Sequence, residues 1–272
     1  MHGTGSSTHD VTIRADIVIK RFRSWSRGEH RREWAGLTLL AAHLPGLAPR
    51  PIRADLTGVP PTVVMSRLAA EPLRSSPLTS AQIDALAAAV GRLHRAIPAY
   101  ELAKLPRRIG HPAALVGQVA HSIASPPQLG TDPLVRQAYD MGSAWIQQLS
   151  ADVVEADPPP VFGLADGNLA NYLWDGTQVM MVDFEDSGRS DRAYEIAELV
   201  EHLSAWIGGA MDVPALLTAF DLTPVELARL GELRRLCAFV WLLMLLPGGP
   251  AHARNPIGTT RRQAERLLTL LS

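Results

Sequence analysis

The sequence predicts an α+β chain, with short strands gathered near its start and helices filling most of the remainder. Three observations carry this. Apolar runs of strand length, Val11-Thr12-Ile13, Ile17-Val18-Ile19 and Thr62-Val63-Val64-Met65, are separated by turn-like segments. From Ser80 onward, apolar residues recur at helical spacing over long stretches. Among those stretches, residues 161–200 hold two polar knots set in apolar sequence, with Asp175-Gly176 at a strand-flanked turn that predicts a hairpin.

In chain order, residues 3–9 form a Gly/Ser-rich loop ahead of two short strands over residues 11–13 and 17–22, with a turn at Ala15-Asp16. Small residues let backbone N–H groups close over phosphates, and the same composition also suits a loose terminus. The loop lies near Met1, so either the lobe is abbreviated or the natural chain begins earlier. Lys20 ends the second strand. A helix is predicted over residues 29–43, with Leu37, Leu39 and Leu40 as its core face and Pro45-Gly46 as its stop. Residues 49–52 and 62–65 predict two more strands, joined by a turn over residues 55–61.

Thr79 or Ser80 caps the next helix, which runs through Ile83, Leu86, Val90 and Leu93. His94, near its end, reads as a structural donor or a partner of the helix dipole. Within residues 98–160, a loop marked by Pro106, Pro112, Pro126 and Pro127 is followed by a helix over residues 133–150 in which Trp145 supplies core area. Later helices are expected over residues 193–208, with Asp191 as cap, then 213–220, 223–246 with Pro224 in the first turn, and 259–271.

A chain of 272 residues, 47% hydrophobic, is long enough for one large domain or two lobes. Its formal net charge of −1 gives no reason to expect nucleic acid or a membrane as partner. Cys237 is the only cysteine, which excludes an intrachain disulfide, and its apolar neighbours suggest a buried, inert thiol. No apolar run is long enough to span a bilayer and no leader pattern precedes the first strand, so a cytoplasmic protein is expected.

Chemistry concentrates in the two knots. The first is Asp166-Gly167-Asn168-Leu169-Ala170-Asn171 and the second Asp183-Phe184-Glu185-Asp186. A hairpin between them brings Asp166, Asn171 and Asp183 to one end of a sheet. Two carboxylates and an amide oxygen make a hard-oxygen site suited to Mg²⁺. Phosphoryl transfer needs that metal and also a carboxylate beside the attacking hydroxyl. Taken singly, each of the three is as readily a cap or turn residue. Their order and spacing match the catalytic loop and metal segment of protein kinases.

On these residues the chain resembles the aminoglycoside phosphotransferase family of small-molecule kinases. The family's catalytic loop reads His-Gly-Asp, four residues and Asn; here it is Leu164-Ala165-Asp166 through Asn171. Its metal segment runs from Asp through Gly to Asp-Pro and an apolar helix; here Asp183 leads through Gly188 to Asp191-Arg192-Ala193. Leu164 stands where the family has His, and Arg192 where it has Pro.

The resemblance implies a bilobal protein-kinase-like fold, with a small antiparallel-sheet N-lobe over residues 1–68 including the hinge. A larger, mostly helical C-lobe over residues 69–272 would carry the catalytic loop, metal site and acceptor region. It implies Asp166 as the catalytic carboxylate, Asn171 and Asp183 as Mg²⁺ ligands, and Lys20 on the nucleotide phosphates. Glu33 is the expected helix partner of Lys20, with Glu29 as competitor, and Ser66 and Leu68 are expected in the hinge against the base. The implied activity is ATP- or GTP-dependent O-phosphorylation of a small molecule by a monomer or homodimer. Asp152, Glu155, Asp157, Glu185 and Asp186 would attract a cationic acceptor, an aminoglycoside or basic peptide antibiotic. Leu164 keeps open an alternative, an inactive or weakened kinase serving as a nucleotide-binding or interaction module. A metal-dependent hydrolase built on the same carboxylates leaves Lys20 and Glu33 unexplained.

Overall fold

The computed structural model describes residues 9–149, Val153 and residues 158–272. Residues 3–8 of the Gly/Ser-rich loop, and Asp152, Glu155 and Asp157 of the acidic region, lie outside the described residues. Four strands near the start, β1 (His9–Ile13), β2 (Ile17–Phe22), β3 (Pro51–Asp55) and β4 (Thr62–Ser66), form an antiparallel sheet in the order β1-β2-β4-β3. Helix α1 (Glu29–His43) crosses between β2 and β3 and packs on β3 and β4. In β2 the pleat alternates, so Lys20 and Phe22 are buried on one face while Arg21 between them is exposed.

The rest of the chain is mostly helical. Helix α2 (Ser80–Ala96) begins with a capping box in which Thr79 and Gln82 exchange hydrogen bonds. It is followed by α3 (Ala99–Leu102), α4 (Pro112–Ala124) and α5 (Pro133–Gln148). The central strands come next: β6 (Pro160–Gly163), β7 (Tyr172–Trp174), β8 (Val179–Met181) and β9 (Gly188–Asp191). β7 and β8 pair antiparallel around the Asp175-Gly176 turn, and a short β5 (Glu71–Pro72) extends that sheet. β6 pairs with β9, which ties the two ends of the catalytic stretch together. Helices α6 (Arg192–Glu201), α7 (Leu203–Trp206), α8 (Val213–Thr218), α9 (Pro224–Leu245) and α10 (Thr259–Leu271) complete the lobe. One apolar core runs from Phe22, Leu37 and Leu40 through Leu86 and Val90 to Phe162, Ile196 and Phe239. Cys237 sits in it, free and buried. No helix among the described residues is long and apolar enough to cross a membrane.

Two expectations need correction. Residues 112–124, read as loop because of their prolines, are helical, since Pro112 occupies the first helical position where its missing N–H is harmless. The helix expected over residues 193–208 breaks at His202, whose ψ of 140° turns the chain before α7 begins. Arg192, in place of the family's Pro, opens α6 and donates from Nη1 to the Asp221 carbonyl at 2.8 Å.

Candidate active site

Lys20 points from β2 into the cleft between the lobes and is 4% exposed. Its Nζ lies 3.1 Å from Glu33 Oε2, 2.5 Å from Asp183 Oδ1 and 2.9 Å from Glu185 Oε2. Burial works against the charged Lys20 ammonium, but Glu33, Asp183 and Glu185 outweigh it and raise its pKa above the ordinary lysine value. Glu33 Oε2 also accepts the Phe184 N–H at 2.8 Å, so one carboxylate on α1 orders both the lysine and the metal segment. Burial pushes the Glu33 carboxyl up, against the pull of Lys20. Glu29, the competing candidate, instead pairs with Arg27 at 3.1 Å.

The catalytic loop follows β6. Asp166 Oδ1 accepts the Asn168 N–H at 2.9 Å and Oδ2 accepts the Asn171 side-chain amide at 2.8 Å. The Asn171 amide nitrogen is thereby committed to Asp166, which leaves its oxygen for a cation. Burial, with Glu198 and Asp183 nearby, pushes the Asp166 carboxyl up to about 7. The 40% of its side chain that meets solvent screens those charges in part. Asp183 adopts φ 71°, left-handed backbone that an Asp tolerates, and Ala165 adopts φ 70°, where an alanine is strained. Gly167 is required by close approach: a Cβ there would lie 2.5 Å from the Glu198 carbonyl oxygen of α6.

Leu164 is 2% exposed and packs in the main core. Support for the loop comes from residues that carried no sequence signal. Arg108, fully buried ahead of α4, donates from Nη2 to the Ala165 carbonyl at 3.3 Å and from Nε to the Ile109 carbonyl at 2.9 Å. Its Nη1 pairs with Glu195 at 2.9 Å and with Glu198, and its Cζ sits 4.6 Å from the centre of the Tyr194 ring. Glu195 in turn accepts the Ala165 N–H at 3.4 Å. Both backbone groups of Ala165 are thus held by one buried ion cluster.

Lys20, Glu33, Asn171 and Asp183 line a single cavity of about 360 Å³ together with Val18, Met65, Ser66 and Leu68. Asp166 sits beside it through Asn171. The hinge N–H groups of Ser66 and Arg67 are engaged by the carbonyls of Arg50 and Asp16, both at 2.9 Å. No hydrogen bond of the Leu68 N–H is found among the described residues. Asn171 and Asp183 line the same cavity, and an amide oxygen with a carboxylate is the donor chemistry a small hard cation takes when phosphate and water complete its shell. Among the described residues no three His, Cys, Asp or Glu side chains converge as a metal cluster.

Of the acidic residues expected to draw a cationic acceptor, the two that are described are paired with cations of this chain. Glu185 is taken up by Lys20 and by His9, whose Nδ1 lies 3.0 Å away, and Asp186 lies 3.4 Å from Arg27.

The sequence profile of the phosphotransferase enzyme family known as APH matches residues 5–233. The chain belongs to that family. It is accordingly a small-molecule phosphotransferase acting on hydroxyl groups. No curated protein matches it by sequence. Among solved structures, a choline/ethanolamine kinase family protein from Mesorhizobium loti is 16% identical with a TM-score of 0.65, covering 96% of this chain and 84% of its own. The aminoglycoside phosphotransferase APH(4)-Ia is 13% identical with a TM-score of 0.65, covering 100% and 92%. Spectinomycin phosphotransferase APH(9)-Ia, in complex with ADP and spectinomycin, is 11% identical with a TM-score of 0.59, covering 99% and 87%. At these identities the likeness shows the bilobal kinase-like fold.

Proposed function

We propose that this phosphotransferase moves the terminal phosphoryl group of ATP, with Mg²⁺, onto a hydroxyl of a small cationic or amine-bearing molecule. One observation carries the reading: Lys20, Asn171 and Asp183 converge on one cavity while Asp166, hydrogen-bonded to Asn171 at 2.8 Å, stands beside it. Lys20 holds the nucleotide phosphates, Glu33 holds Lys20, and Leu68 in the hinge offers its backbone to the base. Asp166 orients the acceptor hydroxyl and takes its proton as oxygen bonds to phosphorus and the bond to ADP breaks. Asn171 and Asp183 would hold Mg²⁺, which would neutralise part of the phosphate charge. The intact set Lys20, Glu33, Asp166, Asn171 and Asp183 favours an active kinase over an inactive module. ATP use fits a cytoplasmic setting.

Two acceptor classes are suggested by the fold relatives, which include a spectinomycin phosphotransferase and a choline/ethanolamine kinase family protein. An antibiotic acceptor was the expectation from charge. The pairing of Glu185 and Asp186 with cations of this chain favours a small amino alcohol as second reading, because it leaves fewer free carboxylates for a polycation. The test is incubation with Mg-ATP and a panel of aminoglycosides, spectinomycin, basic peptide antibiotics, macrolides, choline and ethanolamine, with mass detection of a phosphate adduct. An adduct on one class settles the acceptor; none on any, with no Mg-ATP binding by calorimetry, sinks the kinase reading in favour of an interaction module.

A further inference from the structure

The break in the helical run at His202 has a geometry that goes beyond ending α6. The chain turns there so that the His202 imidazole faces the catalytic loop, with Nε2 3.8 Å from Asp166 Oδ1. Nδ1 lies on the far side of the ring, 2.7 Å from Ser204 Oγ and 3.1 Å from the Ser204 N–H, which donates to it. Ser204 Oγ accepts the Leu169 N–H at 2.9 Å, so its own hydrogen is free to point at Nδ1. With both Ser204 donors directed at Nδ1, the ring proton belongs on Nε2, facing the carboxylate. The ring stands edge-on to Trp241, interplanar angle 87°. Burial, aided by the Arg74 charge, holds the His202 pKa down at about 3, so the imidazole is neutral.

We propose that His202, at the turn between α6 and α7, is a positioning residue for Asp166, bringing an imidazole to a catalytic loop in which Leu164 has no hydrogen-bonding group. The segment His202-Leu203-Ser204 braces the loop at two points, at Asp166 through the imidazole and at Leu169 through the hydroxyl. Asp166 Oδ1 accepts the Asn168 N–H and Oδ2 the Asn171 amide, while His202 Nε2 stands 3.8 Å from Oδ1, one short movement from hydrogen-bond length. Closing that gap when the acceptor binds puts a second donor on Oδ1 and directs the acceptor hydroxyl to Oδ2. A neutral ring whose Nε2 carries the proton cannot itself be the base. The inference rests on reading Asp166 as the carboxylate that engages the acceptor.

The test compares His202→Ala, His202→Gln and Ser204→Ala with the parent protein, beside Asp166→Ala. His202→Ala should lower kcat by about tenfold or more while leaving the calorimetric Kd for Mg-ATP unchanged, and His202→Gln, whose amide can donate, should recover part of it. Ser204→Ala should fall between. An unchanged kcat in His202→Ala, or a loss matched by lost Mg-ATP binding, overturns the proposal. If the parent protein turns over no acceptor, it is the kinase reading that has failed, and nitrogen NMR of the imidazole decides the geometry independently. A ring with its proton on Nε2, whose resonance moves in Asp166→Ala, supports the contact; a proton on Nδ1, or no response to Asp166→Ala, overturns it.

Discussion

Arg108 donates from Nη2 to the backbone carbonyl of Ala165 at 3.3 Å, immediately before Asp166. The same guanidinium neutralises Glu195 and Glu198 in the interior. Removing one member of a buried ion cluster strands the others. Arg108→Met should therefore lower stability by about 3–5 kcal/mol. Adding Glu198→Gln should recover part of that loss, because one stranded charge is gone. Urea denaturation of both variants checks this, and an effect of Arg108→Met under about 1 kcal/mol would show that the cluster does not hold the loop.

Ala165 occupies left-handed backbone at φ 70°, a position where the family has glycine. The strain there is about 1–2 kcal/mol, and glycine gives back about 0.5–1 kcal/mol through its looser unfolded chain. Ala165→Gly should thus stabilise the protein by about 0.5–1 kcal/mol. A drop in the denaturation midpoint would mean that Arg108 and Glu195 have relieved the strain already.

Gly167 abuts the backbone of α6, so Gly167→Ala pushes the loop off Glu198 and Leu199. The expected cost is about 1–3 kcal/mol of stability, with a fall in kcat larger than the change in Mg-ATP affinity. Full activity with unchanged stability would contradict the close contact.

Much of this site was legible because its signals are local. Asp166 and Asn171 lie within one turn and loop, and Asp183 opens the strand end that follows. The Lys20 and Glu33 pairing was legible from one strand end and one helical run. Arg108 was not, since its partners lie 87 and 90 residues away and a buried arginine has the same sequence appearance as an exposed one. His202 was hidden for a different reason. Apolar periodicity continues past it through Leu203 and Ala205, and only the chain turn redirects its ring. Helix α4 was obscured by reading Pro112 as a breaker when it stands at a helix start.

The pH dependence of stability carries a sign that can be checked. The Asp166 carboxyl is raised from an ordinary 3.8 to about 7 in the folded chain, so folded protein binds that proton more tightly than unfolded chain. Stability from this group is fully present below 3.8 and is lost as pH rises toward 7. Asp166→Asn does not titrate. Relative to the parent protein it should gain stability between about pH 4 and pH 8 in metal-free buffer. A difference that stays flat or runs the other way would contradict the raised carboxyl.

The central claim is that Asp166 carries phosphoryl transfer beside a nucleotide held by Lys20, Asn171 and Asp183. It is tested most directly by measuring turnover and Mg-ATP binding together for the parent protein and Asp166→Ala. Unchanged Mg-ATP affinity with turnover reduced by about 10²–10⁴-fold is the predicted result. Equal turnover in Asp166→Ala, or the absence of Mg-ATP binding by the parent protein, would contradict it.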